Sequence, residues 1–264
     1  PEQAGKTGVI EYLTPEAAID KFEMADGYQI NCFASEVDFP ELANCVQFAF
    51  DSRGRLWVAC MPSYPQYQPQ REVNDKVLIL EDTNGDGRAD KCRVFADKLH
   101  VPTGIELGDG GAYVAQQPDL MFLKDTDGDD KADVREVVLD GFATDDTHHA
   151  ISAFEWTPDG RLVMLEGLAL SGTVETAYGP LRNKDKSVSY TYDPRTQKLE
   201  KYIYPCLVNA WCFTHNDWGQ PFLGDGTVAD QHWATPLTGA EYDARGNNRE
   251  FIHYEGGTMR PALG

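Results

Sequence analysis

Two short acidic segments carry the clearest chemistry in this 264-residue chain. Asp82-Thr83-Asn84-Gly85-Asp86-Gly87-Arg88-Ala89-Asp90 and Asp125-Thr126-Asp127-Gly128-Asp129-Asp130-Lys131-Ala132-Asp133 both read D-x-[DN]-x-D-x-x-A-D. Oxygen-bearing side chains recur at loop positions one, three, five and nine. These are Asp82, Asn84, Asp86 and Asp90 in the first loop, and Asp125, Asp127, Asp129 and Asp133 in the second. The main-chain carbonyl at position seven, from Arg88 or Lys131, can add another. A hard cation such as Ca²⁺ takes about six to eight oxygens at about 2.3–2.6 Å, and this spacing wraps them round one point. The turn at position six favours positive φ, which suits Gly87 and which Asp130 tolerates. An EF-hand would place a bidentate Glu at position twelve. The first loop has Arg93 there; the second has Glu136, an extra candidate ligand. The plain alternative is an acidic hairpin turn without metal, but two matching copies favour Ca²⁺ in both.

A second group could move protons. In Asp145-Asp146-Thr147-His148-His149-Ala150, two imidazoles follow two carboxylates. Histidine titrates near neutrality, so it can take a proton from a hydroxyl while a neighbouring group accepts hydride. Asp145 or Asp146 could orient a ring. The competing explanation is a structural histidine bonded to a loop carbonyl.

The elements around these groups read as strands. Lys76–Leu80 and Cys92–Phe95 flank the first acidic loop, and Leu120–Leu123 and Val134–Leu139 flank the second. All are short, mostly apolar runs with β-branched or aromatic residues. The loops recur with a period of about 43 residues, which suggests the blades of a β-propeller. A strand–turn–strand pattern with Gly in the turn supports this. It appears at Phe48–Val58, Ile105–Val114, Phe154–Val163 and, more weakly, Phe213–Phe222. Each reads as the inner hairpin of one blade, and the acidic loops cap outer hairpins of the first two. A β-sandwich seldom repeats one hairpin signature at this spacing. The paired histidines precede an inner strand, near the mouth of the central channel, a natural place for a site.

Residues 1–27 read as a loose arm ending in a short helix, with Thr14 as N-cap, Pro15 in the first turn and an apolar stripe of Ala18, Ile19 and Phe22. Residues 28–264 read as the propeller, opening with a strand at Tyr28–Ala34. The stretch 62–70, with Pro62, Pro65, Pro69, Tyr64 and Tyr67, reads as a long loop on one face. Of the six cysteines, Cys45 and Cys60 are equidistant from the turn Asp51–Gly54 and should face each other, while Cys206 and Cys212 are close in sequence. Disulfides in an extracytoplasmic space compete with six buried thiols. No Cys-x-x-Cys-His is present for haem attachment, nor any Cys-x-x-Cys for zinc. A net charge of -20 argues against nucleic acid and anionic membranes as partners. No apolar run is long enough for a transmembrane helix, and no signal peptide is visible; a start at Pro1 suggests a processed N-terminus.

The order of these motifs resembles the N-terminal domain of the membrane-bound dehydrogenases of the Planctomycetes–Verrucomicrobia group, themselves similar to soluble quinoprotein glucose/sorbosone dehydrogenases. The matching stretches are Phe48–Pro65, Val77–Gly104, Tyr113–Val138, His148–Gly160 and Asn209–Gln220. The acidic loops taken together with His100-Val101-Pro102-Thr103-Gly104 and His148–Phe154 are the most specific part. The resemblance implies an all-β propeller, typically of six blades, in the periplasm or at the cell surface, often with a cytochrome c domain elsewhere in the polypeptide. This chain shows about four inner hairpins. His149 matches the catalytic base of the sugar dehydrogenases, with His148 or His100 beside it. The Arg-Asn pair that contacts pyrroloquinoline quinone falls on Val208-Asn209, so the arginine that would clamp a carboxylate of that cofactor is absent. Asp225-Gly226 matches the region whose carbonyls hold the catalytic Ca²⁺. The leading expectation is therefore a calcium-binding, extracytoplasmic propeller that oxidises a sugar or alcohol hydroxyl and passes electrons to a cytochrome. The alternatives are a non-catalytic, Ca²⁺-stabilised assembly module and a lactonase-like metal hydrolase.

Overall fold

The computed structural model describes residues 13–64, 72–184, 187–203, 207 and 209–226, with the backbone of 231–234 and 252–255. The described strands form four antiparallel sheets of four strands each, plus one small hairpin. Blade one holds β1 (Cys45–Phe50), β2 (Leu56–Cys60), β3 (Asp75–Glu81) and β4 (Lys91–Leu99). Blade two holds β5 (Pro102–Gly108), β6 (Gly111–Gln116), β7 (Asp119–Lys124) and β8 (Val134–Leu139). Blade three starts with β9 (Ser152–Trp156) and β10 (Leu162–Glu166). The chain then leaves the sheet for the hairpin β11 (Ser171–Val174) and β12 (Leu181–Lys184), and returns as β13 (Val188–Asp193) and β14 (Lys198–Ile203). Blade four holds β15 (Ala210–His215), β16 (Pro221–Asp225), β17 (Gln231–Ala234) and β18 (Ile252–Glu255).

Local chemistry closes each inner hairpin. The Asp51 carboxylate accepts the amides of Arg53 and Arg55 at 2.9 Å each, and Gly54 takes φ +76°. Thr157 Oγ1 does the same for the Arg161 amide, at 2.9 Å, with Gly160 at +82°. Asn216 Oδ1 takes the Gln220 amide at 2.9 Å, with Gly219 at +76°. A short polar side chain thus replaces a missing backbone partner, and glycine supplies the positive φ. Blade two instead turns on Asp109-Gly110, both at positive φ, as a two-residue hairpin requires.

The sheets stack face to face, and their facing side chains form the core. Trp57, Val77, Ile79 and Phe95 of blade one meet Ile105, Val114 and Leu123 of blade two. Tyr113 and Leu120 of blade two meet Phe154, Met164 and Tyr190 of blade three. Val163 and Leu165 of blade three meet Phe213 and Leu223 of blade four. The inner strands pack in series, β1 on β5, β5 on β9 and β9 on β15. This radial stack of four-stranded meanders is the expected β-propeller, with four blades among the described residues. Each inner strand pairs irregularly near its start, as β-bulges do. Side chains there bind the blades together. Gln47 donates to the Phe154 carbonyl at 2.9 Å, and its own oxygen accepts the amides of Ile105 and Phe154. Thr103 Oγ1 donates to Ile151 O at 2.7 Å, and Ser152 Oγ to Ala210 O at 2.9 Å. On β1, Phe48 and Phe50 stay 61% and 62% exposed, although Ile105 and Phe213 at the place matching Phe48 are buried.

The N-terminal expectations hold in part. Helix α1 (Pro15–Ile19) begins as expected, with Thr14 Oγ1 accepting the Ala17 amide at 3.3 Å. Its apolar stripe buries nothing, however, and Phe22 is exposed. Tyr28–Ala34 forms no strand, contrary to expectation. This segment is a strap held by single bonds: Asn31 Nδ2 donates to Gly87 O at 2.7 Å, and the Ala89 amide donates to Phe33 O at 2.8 Å. Phe33, Ala34, Phe39 and Leu42 cover Val58, Cys60, Leu78 and Leu80 on the outer face of blade one. Side-chain packing has replaced strand pairing here. The same loop position does the same one blade on, where the Ala132 amide donates to Phe95 O on β4 at 2.8 Å. Cys45 and Cys60 face each other in register as expected, but as free thiols with Sγ atoms 3.7 Å apart. Cys206 lies outside the described residues, as do the arm 1–12, Pro65, Tyr67, Pro69 and Val208.

Candidate functional site

The antiparallel meanders sort every connection to one of two faces. The acidic loops and inner-hairpin turns lie on one. The β2–β3, β4–β5, β6–β7 and β8–β9 connections lie on the other, where the inner strands begin. Asp75, at the start of β3 and buried, assembles this second face. Its carboxylate accepts the Ser63 amide at 3.0 Å, the Ser63 hydroxyl at 2.5 Å and the Val101 amide at 2.7 Å. Tyr64 and His100, the neighbours of those anchor points, are thereby set beside each other's loops.

Across the gap stands the 144–149 loop. The Tyr64 hydroxyl hydrogen-bonds His148 Nε2, and the two rings meet edge to face with centroids 5.2 Å apart. On the far side of the ring, His148 Nδ1 lies 3.1 Å from Asp146 Oδ1, which also accepts the His148 amide at 2.9 Å. With the Nδ1 proton given to the carboxylate, Nε2 is left to accept from the phenol. Tyr64, His148 and Asp146 thus form one continuous proton path. Burial and the nearby Asp146 charge raise the Tyr64 phenol above its ordinary value. Burial opposes ionisation of Asp146, but hydrogen bonds from the His148 amide and ring outweigh it and hold the carboxyl low. His148 and Asp146 border a cavity of about 480 Å³ whose wall also includes His100, Gln117, Thr144 and Asp145; Tyr64 reaches it only through its bond to His148. Among the described residues no arginine or lysine lines it.

His149 faces elsewhere. Its Nδ1 lies 2.5 Å from the Leu168 carbonyl, and its own carbonyl accepts the Gly167 amide at 2.8 Å. That bond fixes the orientation of the ring, and His149 is not among the residues lining the cavity. Glu166, next to Gly167, is buried and accepts Asn183 Nδ2 at 2.8 Å and the Tyr190 hydroxyl at 2.9 Å; burial raises its pKa. Asn209, Asp225 and Gly226 come together in blade four on the same face. The Gly226 amide donates to Asn209 O at 2.8 Å, and the Asn209 amide reaches Asp225 at 3.4 Å. They do not line the cavity either.

On the opposite face the two acidic loops adopt closely similar folds. Asp82 accepts the Gly85 and Gly87 amides at 2.7 and 2.8 Å, and Asp125 accepts those of Gly128 and Asp130 at the same distances. Asn84 and Asp86 accept the amides two residues on, at 2.9 Å each, as Asp127 and Asp129 do at 3.2 and 2.9 Å. The position-seven residues Arg88 and Lys131 are the donors to Asp86 and Asp129. Asp90 and Asp133 turn back onto Thr83 and Thr126. Position six has positive φ in both, +83° at Gly87 and +64° at Asp130. Oxygens of Asp125, Asp127 and Asp133 lie within 4.8 Å of one another, close enough for one cation to bridge. Glu136 sits on β8 opposite Phe122 and stands outside that group.

A domain-family model, described as a domain of unknown function (DUF7133), matches residues 14–254. The chain belongs to the DUF7133 family. No protein of curated function matches the sequence. Among solved structures, the holo PQQ domain of pyranose dehydrogenase from Coprinopsis cinerea is 11% identical with a TM-score of 0.48; the match covers 69% of this chain and 43% of that one. Virginiamycin B lyase from Staphylococcus aureus is 8% identical, with a TM-score of 0.39 and coverages of 76% and 69%. The periplasmic gluconolactonase of Pseudomonas aeruginosa is 11% identical, with a TM-score of 0.37 and coverages of 73% and 66%. This DUF7133 chain thus spans less than half the length of the pyranose dehydrogenase domain. Similarity at this level says nothing of activity, and the four sheets themselves define the propeller.

Three contributors to the DUF7133 site escape a reading by motif. Tyr64 meets His148 across 84 residues of sequence. Asp75 and Gln117 sit inside ordinary strand and turn patterns. The one available signal was Tyr64 in a proline-rich stretch on a propeller face.

Proposed function

We propose that this domain is an extracytoplasmic propeller enzyme whose cavity receives a small neutral sugar or alcohol and removes a proton from an O–H group. The Tyr64–His148–Asp146 path carries the proposal. The phenol takes the incoming proton as it passes its own to His148 Nε2, and Asp146 stabilises the imidazolium. The cavity volume, about 480 Å³, lies within the range of small-molecule sites. Asp145 and Asp146 on its wall disfavour anionic ligands. For the same reason the described part of the cavity does not suit a pyrroloquinoline quinone: three carboxylates would meet two more, with no guanidinium among the described residues to balance them. No step here runs through that cofactor. His148 is favoured as the base over His149 because it lines the cavity and His149 does not.

Ca²⁺ in the two acidic loops and a periplasmic or surface location belong to this reading; for an oxidation, a two-electron carrier must take the hydride from the carbon before a cytochrome receives the electrons one at a time. A lactonase-like reaction would use the same relay on a water molecule. Purified protein should be assayed with neutral sugars and alcohols plus an artificial electron acceptor, and with neutral lactones by proton release. Tyr64→Phe and His148→Ala should each lower kcat by roughly 10²–10⁴-fold with a smaller change in KM. Wild-type rates at background in both assays would replace the enzyme with a binding or assembly module.

A further inference from the structure

Four of the six cysteines lie in blade one or its strap, and two of them form a pair. Cys45 opens β1, Cys60 closes β2, and they stand opposite each other in register. The main-chain bond at this end belongs to the next pair out, where the Met61 amide donates to Asn44 O at 3.1 Å. Cys45 and Cys60 therefore occupy a place without ladder hydrogen bonds, where facing Cα atoms approach to about 4.5 Å and side chains are closest. A disulfide spans Cα separations of about 4.4–6.8 Å, so the backbone need not move to join them. The Sγ atoms are already 3.7 Å apart.

The two thiols are not equivalent. Cys60 is fully buried, packed with Val58, Leu78 and Leu80 beneath the strap, whereas Cys45 is exposed. Cys45 Sγ donates to Leu42 O at 3.8 Å, which leaves Cys60 as the donor between the two sulfurs. That donation favours the Cys45 thiolate and holds its pKa below the ordinary thiol value, against burial and the charge of Glu36. The same contact, reinforced by burial, raises Cys60. Neither Cys92 nor Cys212 is comparable: Cys92 is pushed up to about 11, first by burial, and burial raises Cys212. An accessible thiolate with a buried thiol directly behind it is the arrangement of an attacking and a resolving cysteine.

We propose that Cys45 and Cys60 are a thiol–disulfide exchange site for small-molecule disulfides, with Cys45 as nucleophile and Cys60 as resolving thiol. The Cys45 thiolate attacks one sulfur of the incoming disulfide, forms a mixed disulfide and releases the first thiolate. Cys60 then gives up its proton and attacks Cys45 Sγ, forming the Cys45–Cys60 bond and expelling the second thiolate. The protein loses two electrons and two protons, and the small disulfide takes them up as two thiols. The pair is independent of the proton relay, so its test is one of thiol chemistry. The whole protein, reduced with dithiothreitol and desalted, is mixed with glutathione disulfide, quenched with N-ethylmaleimide and mapped by mass spectrometry. Wild type should form the 45–60 disulfide and recover both thiols, without unfolding, when reduced glutathione is returned. Cys60→Ser should stop at a mixed disulfide of Cys45 with glutathione, formed at least about tenfold faster than any adduct on Cys92 or Cys212. Cys45→Ser should leave Cys60 unmodified. A 45–60 disulfide that resists reduction in the native protein, no reaction of reduced wild type with glutathione disulfide, or Cys92 reacting as fast as Cys45 would each overturn the proposal. The wild-type reactions decide the matter even if a serine lowers stability.

Discussion

Asp130 occupies a loop position that its sister loop gives to glycine, yet its carboxylate is the hub of the contact between blades one and two. Replacing it with Asn keeps a residue that tolerates positive φ and removes only the charge. The Arg55 and Asp130 side chains are 5% and 11% exposed, and they meet at 2.8 Å. Removing one partner of so buried a pair costs about 3–5 kcal/mol. Arg55 retains Asp51 at 2.7 Å, and Arg93 is partly open to solvent, so the cost falls below that range, to about 2–3 kcal/mol. The exposed Arg53 contact adds at most about 0.5 kcal/mol. In a domain of this size each kcal/mol moves the melting temperature by about 2–4 °C, so Asp130→Asn should melt roughly 4–12 °C lower. Asp130→Gly relieves the left-handed backbone strain, worth about 1 kcal/mol, and should fall between that variant and wild type. Differential scanning calorimetry at neutral pH reads both. If Asp130→Asn melts within about 2 °C of wild type, the arginine cluster does not hold these blades together.

Two further outcomes follow from the same structure. Ca²⁺ should raise the melting temperature and EDTA should lower it, because ligand binding to the folded state adds stability; Asp125→Ala should remove most of the second loop's share, and a melt insensitive to chelation counts against metal in either loop. Glu106 on β5 is pushed up to about 7, first by burial, with Glu155 adding to the rise and the Leu107 amide opposing it. Its folded pKa lies above its unfolded one, so the protonated form favours folding. That contribution is complete below about 4.5 and is lost as pH rises through about 7. Glu106→Gln should flatten this fall in pH-dependent melting, and an unchanged profile would show that Glu106 is not its source.

Local rules made the inner hairpins legible. Asp51, Thr157 and Asn216 each cap a turn through their own amide partners a few residues away, so the sequence window contains the whole interaction. The acidic loops were legible for the same reason. Tyr28–Ala34 was misread because its β-rich composition fits a strand equally well when side-chain packing, rather than a ladder, holds it. The β11–β12 insertion carries no turn signature of the inner-hairpin kind. The site was half legible: the His148-His149 pair stood out, but which ring meets the cavity depends on Leu168 O and Tyr64, both fixed by tertiary structure. Asp130 showed only that it could replace glycine, since its arginines arrive from another blade.

The strap at residues 31–34 has a consequence for how this architecture can be rewired. The first acidic loop accepts Phe33 O as its docking point just as the second accepts Phe95 O from a full strand. Recognition of a neighbour by such a loop therefore uses one main-chain bond beside side-chain contacts, not a sheet edge. Chain order and blade order are separable at that seam. A permuted or spliced polypeptide that delivers the same carbonyl together with the apolar side chains of the strap to that point would satisfy the loop.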